Sequence, residues 1–108
     1  MNRLEPFTEK QLQISRLAKA LSHPVRVFVI QFLAEQSCCY SGDLTDILPI
    51  AKSTLSQHLK ELKEAGLIEG ELETPKIRYC LHKENWEIAK ENLKSFINID
   101  ISCSSDCK

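Results

Sequence analysis

Apolar residues recur at three- and four-residue steps between Pro49 and Gly66, which indicates an amphipathic helix ended by a glycine cap. Its apolar stripe, predicted to be buried, consists of Leu55, Leu59, Leu62 and Ala65. The other face carries hydroxyls, an amide and positive charges, which suit DNA phosphates and major-groove base edges. The residues predicted to contact DNA are Lys52, Ser53, Thr54, Ser56, Gln57, His58 and Lys60. A packing or capping role is an equal alternative for His58.

Two helices are predicted before this stretch. Thr8, followed three residues later by Gln11, is a capping box that opens a first helix at about 9 to 21. Pro24 suits the first turn of a second helix, and the apolar run after it indicates a largely buried helix at about 24 to 36.

A short third helix is expected to begin near Ser41 and Asp43 and to end before Pro49. It would be joined by a tight turn to the amphipathic helix described first. Two helices in this arrangement, the second with a polar outer face, are typical of a helix-turn-helix.

The hydropathy period changes to two after Leu67, which predicts a β-hairpin with one buried face. This hairpin would form a wing beside the amphipathic helix. Lys76 and Arg78, at the tip of this wing, are the predicted DNA contacts. Three glutamates on the first strand argue against a strongly basic wing, and we expect them to pair with these two cations. Helical spacing returns at about 83 to 97, with a stripe formed by Trp86, Ala89, Leu93, Phe96 and Ile97.

These elements predict a mainly α fold with a small antiparallel β-hairpin: a winged helix-turn-helix of five helices and a two-stranded wing. We expect a DNA-binding and dimerisation domain at 1–98 and a flexible, cysteine-containing tail at 99–108. The first and last helices carry apolar stripes that so small a core covers only in part. We therefore expect a homodimer through these two helices.

Composition narrows the class of protein. The chain of 108 residues is 43% hydrophobic and 27% charged, as is usual for one globular domain. No stretch has the length of a membrane span or signal peptide, so we expect a cytoplasmic protein without a membrane partner. With three glycines, no phosphate-binding loop and no recognisable nucleophile arrangement, the chain is not expected to be an enzyme. A net charge of -1 requires that any DNA-binding charge be concentrated on one face.

The segments HPVRVFVIQFL and STLSQHLKELKEAGLI, followed by a short wing, resemble the ArsR-type winged-helix repressors, which are arsenical-resistance and metal-sensing regulators of bacteria. The resemblance covers about residues 10 to 97. It implies a homodimer that holds operator DNA until an effector loosens it. The family's arsenic sensors often carry a Cys-x-Cys pair beside an aspartate; Asp43 and Leu44 match that stretch, whereas Tyr40 and Gly42 are in line with the pair.

Four of the five cysteines form two close pairs, Cys38 with Cys39 and Cys103 with Cys107. Reduced thiolates suit a thiophilic ion, so we expect no obligatory cofactor but an effector, trivalent arsenic or antimony, bound by members of both pairs. Cys80, on the second wing strand, is interpreted as structural. The alternatives are a thiol switch joined by oxidants or persulfides, and buried cysteines without chemistry. A further alternative for the whole chain is a protein-interaction winged helix.

Overall fold

The computed structural model of the protein describes residues 6–36, 39–72 and 77–102. Within these ranges the chain forms four α-helices, one turn of 3-10 helix and a two-stranded antiparallel hairpin. In chain order they are α1 (Glu9–Ala20), α2 (Pro24–Ala34), the 3-10 turn (Leu44–Asp46), α3 (Lys52–Glu64), β1 (Ile68–Glu71), β2 (Arg78–Leu81) and α4 (Lys83–Ile97). This is the predicted mainly helical fold with a wing.

Side-chain caps begin the first two helices where the sequence predicts. The Thr8 hydroxyl accepts from the Gln11 amide at 3.1 Å, and the Gln11 side chain accepts from the Thr8 amide at 2.9 Å, so the predicted capping box is confirmed. At α2 the cap is His23, whose Nδ1 accepts from the Val25 amide at 3.1 Å, with Pro24 in the first turn.

The predicted third α-helix is wrong: this region is the single 3-10 turn, so α-helices number four in the described residues. The Asp43 carboxylate accepts from both the amide and the hydroxyl of Thr45, at 2.9 and 2.6 Å, and closes a local turn. Pro49 follows too soon for a full α-helix to develop, because the residue before a proline avoids the helical conformation.

One hydrophobic core joins all the elements. α2 contributes Val29, Ile30 and Leu33, and α3 contributes its leucines, of which Leu62 is fully buried. The other members, from α1, the 3-10 turn, the wing and α4, are Leu17, Ala20, Leu44, Leu67, Ile68, Tyr79 and Ala89. The leucines of the predicted α3 stripe therefore lie inward, whereas Ala65, its fourth predicted member, is exposed at the end of the helix. The other face of α3 is turned toward solvent.

The wing is paired on both sides of β2. β1 pairs with it antiparallel, with Ile68 opposite Leu81. On the other edge Tyr40 forms a β-bridge with Tyr79, in which each amide donates to the other's carbonyl, at 2.9 and 3.1 Å. The segment after α2 thus supplies a third, very short strand to the sheet and ties the wing to the core.

α4 returns across α1. The Lys10 ammonium donates to the Ser95 hydroxyl at 2.8 Å, and the Asn92 amide donates to Gln13 at 3.1 Å. Phe96 and Ile97 belong to the predicted apolar stripe, which the core was expected to cover only in part, and they are 51% and 73% exposed in a single chain. The helix extends beyond the core at this end, so the described part of the chain leaves these two side chains largely uncovered.

Candidate nucleic-acid interface

The outward face of α3 is a continuous polar surface. Its described members, all exposed, are Lys52, Ser53, Thr54, Ser56, Gln57 and Lys60. Leu55 and Leu59, between them in sequence, are each 5% exposed. Six of the seven residues predicted on this helix therefore share one accessible face, which we call the reading face.

Two members of the reading face make contacts with neighbouring carboxylates. The Lys52 ammonium lies 3.2 Å from the Asp43 carboxylate of the 3-10 turn. Hydrogen bonds from Thr45, and then Lys52, hold the pKa of Asp43 below its usual range. The Gln57 amide donates to Glu61 at 3.3 Å, a long bond that is easily exchanged for a base edge. Both contacts orient the side chains while leaving them exposed.

The wing is positioned by Lys63, at the last turn of α3. Its ammonium donates to the Gly70 carbonyl at 2.7 Å, which links the reading helix to β1. Gly70 has a φ of +127° and lies against the backbone of Arg78, so a side chain at this position would collide with β2. Arg78 itself is exposed at the start of β2, as a phosphate contact requires, whereas Lys76 lies outside the described residues. Nothing in the local sequence pattern reveals this positioning role of Lys63.

The predicted DNA contact by His58 is revised, because this side chain lies on the buried face of α3 and is 8% exposed. The Arg26 guanidinium donates from Nε to His58 Nδ1 at 3.0 Å, and the His23 ring stacks obliquely at 4.2 Å. Burial lowers the pKa of His58, and electrostatic interaction with His23 and with the Arg26 guanidinium lowers it further. The packing alternative is the one the geometry supports: a neutral imidazole joins α3 to α2.

This cluster connects the two most distinctive sequence segments. His23 and Arg26 belong to HPVR at the start of α2, and His58 belongs to SQHL in the reading helix. Arg26 was not singled out from the sequence, since nothing local shows which histidine it contacts. The only available signal was that both segments place a polar residue on an otherwise apolar helix face.

Cys39 is bonded to Cys80 in a disulfide, with the two Cα atoms 4.4 Å apart. The prediction paired Cys39 with Cys38 and the tail, and it treated Cys80 as structural without a partner. The β-bridge of Tyr40 with Tyr79, which no local pattern shows, places the two cysteines opposite each other. The predicted ligands Cys38, Cys103 and Cys107 lie outside the described residues. Within the described ranges, no group of three or more His, Cys, Asp or Glu side chains is arranged to hold a metal ion.

No single helix in the described ranges is long and apolar enough to cross a membrane; α1 and α2 satisfy that criterion only as a pair bent by 96°.

Comparison with known proteins gives a consistent answer. A helix-turn-helix domain model matches residues 21–71. The HTH-type transcriptional regulator YgaV of Escherichia coli is 31% identical over 84 residues, which cover 78% of this chain and 85% of that protein. The biofilm growth-associated repressor of Xylella fastidiosa is 34% identical over 77 residues, which cover 71% and 67%. The NMR structure of the cadmium sensor CmtR from Mycobacterium tuberculosis superposes with a TM-score of 0.53 and 28% identity, over 86% of this chain and 98% of that one.

This chain belongs to the ArsR-type winged-helix transcriptional regulators. The family is one of non-enzymatic DNA-binding proteins, in agreement with the sequence prediction. In this ArsR-type chain the matched region runs from the end of α1 through α2 and α3 to the end of β1. It therefore contains both the reading face and the Arg26–His58 contact that holds it.

The Arg26–His58 contact predicts a pH-dependent stability. Because the pKa of His58 is lowered on folding, the unfolded chain binds a proton more readily, starting near the ordinary value of 6.5. The contribution of neutral His58 to the free energy of unfolding should be fully present above that pH. It should be lost as the pH drops through the lower folded-state pKa. Urea unfolding at several pH values between about 8 and 5 measures this.

The matched variant is His58→Gln, which keeps an acceptor for Arg26 but does not titrate. Its unfolding free energy should change less over the same interval. Equal slopes for the two proteins would contradict the assignment.

Proposed function

We propose that this protein is a homodimeric transcriptional repressor that inserts α3 into the major groove of operator DNA and is released by a thiophilic effector. The observation that supports the DNA-binding role best is the division of α3. Its leucines are buried, and its lysines, hydroxyls and Gln57 are exposed on one face. Helix-turn-helix proteins read base edges with such a surface and use the surrounding cations for phosphates.

The proposed dimer surface lies on α4 and the residues after it. The large apolar side chains left exposed there are Ile88, Phe96, Ile97, Ile99 and Ile101. Isolated apolar side chains are normal on a surface, but these five on one terminal helix and its extension, here called the apolar patch, leave a large apolar area uncovered. A two-fold axis through α1 and α4 would cover this patch and present two reading faces to two half-sites.

The proposed effector is arsenite or antimonite, bound by thiolates from Cys38, Cys39, Cys103 and Cys107. Support comes from the number and grouping of thiols in so short a chain, since soft ions select thiolate ligands. The structural relative is a cadmium sensor, which is consistent with an effector of this class. Cys39 can ligate only when its bond to Cys80 is reduced. We therefore assign ion binding to the reduced protein.

A second candidate is a thiol-redox sensor on the same fold. The disulfide between Cys39 and Cys80 favours it, because two thiols that meet in the folded chain can respond to oxidants without any metal. The two candidates share the DNA-binding role and differ in the chemistry that controls it.

The reading face can be tested by substituting Gln57 and Lys60 separately. Gln57→Ala should reduce discrimination at one base pair of each half-site by about 1–3 kcal/mol, because Gln contacts base edges. Lys60→Ala should weaken binding to all sequences alike and lower the slope of log K against log salt by about one per half-site. Fluorescence anisotropy with matched and mismatched DNA at several salt concentrations measures both effects.

The control is Glu64→Ala on the exposed side of α3 but at its far end, which should leave base discrimination unchanged. If the DNA affinity of the wild-type protein did not depend on salt concentration, the result would instead favour a protein-interaction winged helix. Discrimination that survives Gln57→Ala would remove the base-reading role from that residue.

The dimer surface can be tested with Ile88→Glu, which places a charge in the apolar patch on α4. The charge would have to be buried at the interface, so the dissociation constant of the dimer should rise by at least about tenfold. Ile47→Glu is the matched control, because Ile47 is 51% exposed on the 3-10 turn, away from α4. Sedimentation equilibrium of the two variants separates the outcomes; a dimer unaffected by Ile88→Glu would place the interface elsewhere.

The effector can be tested by titrating arsenite, antimonite and zinc into fully reduced protein on operator DNA. Arsenite and antimonite should release the DNA, with a coupling of about 5- to 150-fold in affinity, and zinc should have less effect. Replacement of Cys38 and Cys39 by serine should abolish release, whereas Cys80→Ser should retain it. Release that persists without either predicted pair would disprove the thiolate site.

A further inference from the structure

We propose that Cys39 and Cys80 form a reversible thiol–disulfide site that sets the position of the wing and thereby the affinity for DNA. This inference rests on the proposed DNA-binding function. It assigns the redox response to a pair in the wing and the segment after α2, so neither the tail cysteines nor Cys38 are required. The oxidised form is the tighter DNA binder.

The backbone brings the two cysteines together independently of the bond between them. Tyr40 and Tyr79 exchange both amide hydrogen bonds, at 2.9 and 3.1 Å, and so form a hydrogen-bonded antiparallel pair. The neighbouring pair in this register is Cys39 with Cys80, a pair without hydrogen bonds, in which Cα atoms approach to about 4.5 Å. The observed separation is 4.4 Å. The two thiols would therefore remain opposite each other after reduction, and the bond could form again.

Small reagents have a route to both sulfurs. Each cysteine is partly exposed, and both line an open groove of about 590 Å³ between α2 and the wing. Arg78 and Lys83 line the same groove, together with Glu69, His82 and Glu84, so neither sign of charge dominates it. The groove is open to solvent, so low-molecular-weight thiols and disulfides can reach the pair.

The bond constrains the part of the protein that would meet DNA. Cys39 and Cys80 are separated by 41 positions, and the loop they close contains the 3-10 turn, α3 and β1. In the folded protein the bond ties β2 to the segment after α2, and so it limits movement of the wing relative to the core. Arg78 lies two residues from the bonded Cys80, so its backbone is held against the core when the bond is present. Less freedom is then left to lose on DNA binding, which strengthens binding by pre-organisation.

The chemistry is thiol–disulfide exchange with a small-molecule disulfide as the oxidant. One cysteine thiolate attacks a sulfur of the reagent, forms a mixed disulfide and expels a thiolate, which takes up a proton. The second cysteine, after losing its proton, attacks the protein sulfur of the mixed disulfide and expels the other half of the reagent. One disulfide is consumed and one is formed. The two cysteines are oxidised, and the reagent is reduced to two thiols.

The experiment uses the full chain with Cys38, Cys103 and Cys107 all replaced by serine, which leaves Cys39 and Cys80 as the two remaining cysteines of five. The protein is equilibrated in buffers with different ratios of reduced to oxidised glutathione. Mass spectrometry after alkylation measures the oxidised fraction, and anisotropy measures DNA affinity in each state. Both states have the same sequence, so a folding defect of one variant cannot produce a difference between them. Wild-type protein, with peptide mapping of its disulfides, is analysed in parallel.

Oxidation should join Cys39 to Cys80 in both proteins and should tighten operator binding by at least about fivefold. By linkage, saturating operator DNA should raise the equilibrium constant for oxidation by the same factor, whereas a DNA of unrelated sequence should do so less. Bond formation with unchanged or weaker DNA binding would overturn the inference, as would a wild-type disulfide from Cys39 to the tail. A third outcome is that the bond forms and breaks normally but neither state binds any DNA. This result would disprove the proposed repressor function and the coupling to DNA binding. The thiol–disulfide site itself would still stand.

Discussion

The burial of the leucine stripe of α3 is the constraint on which the rest of this structure depends. Leu55, Leu59 and Leu62 pack into a core to which α2 contributes Val29, Ile30 and Leu33. Transfer of each such side chain out of water contributes roughly 1.5–3 kcal/mol, far more than any one polar contact on the outer face. Rotation of the helix about its axis would expose this stripe. The orientation of the reading face is therefore fixed by residues that cannot themselves touch DNA.

Polar contacts then refine what burial has fixed. Arg26 and His58 connect α2 to α3 across an otherwise apolar contact, and Lys63 connects α3 to the wing at Gly70. A hydrogen bond of this kind adds about 1 kcal/mol to stability, but leaving a buried partner unsatisfied costs more. Such contacts disfavour shifted packings of the same leucines. They explain why residues away from the reading face, including a buried histidine, occur in the most distinctive segments of the sequence.

Local patterns were sufficient to predict most of the secondary structure. The capping box at Thr8, the proline at the start of α2, the glycine after α3 and the change of hydropathy period at the wing each act within a few residues, so they can be read directly. The α-helix predicted after Asp43 is a single 3-10 turn, because Asp43 caps its start and Pro49 follows before a second turn can form. Incomplete cover of the α4 stripe was expected, but the sequence could not show that Phe96 and Ile97 are its exposed members, because periodicity shows which side of a helix is apolar and not how far the core extends along it.

Long-range pairing explains what the sequence could not show about the cysteines. The register of Tyr40 with Tyr79 brings Cys39 to Cys80, and no local pattern connects these segments. This pairing affects both proposed modes of control, release by a thiophilic ion and response to oxidants, because both use Cys39. One sulfur cannot be a metal thiolate and part of a disulfide at the same time. Oxidation would remove Cys39 from the proposed arsenite site, and a bound ion would keep it from Cys80. The redox state and the ion would therefore compete for a single atom, and a protein of this design would respond to thiophilic ions only where its wing bond is reduced.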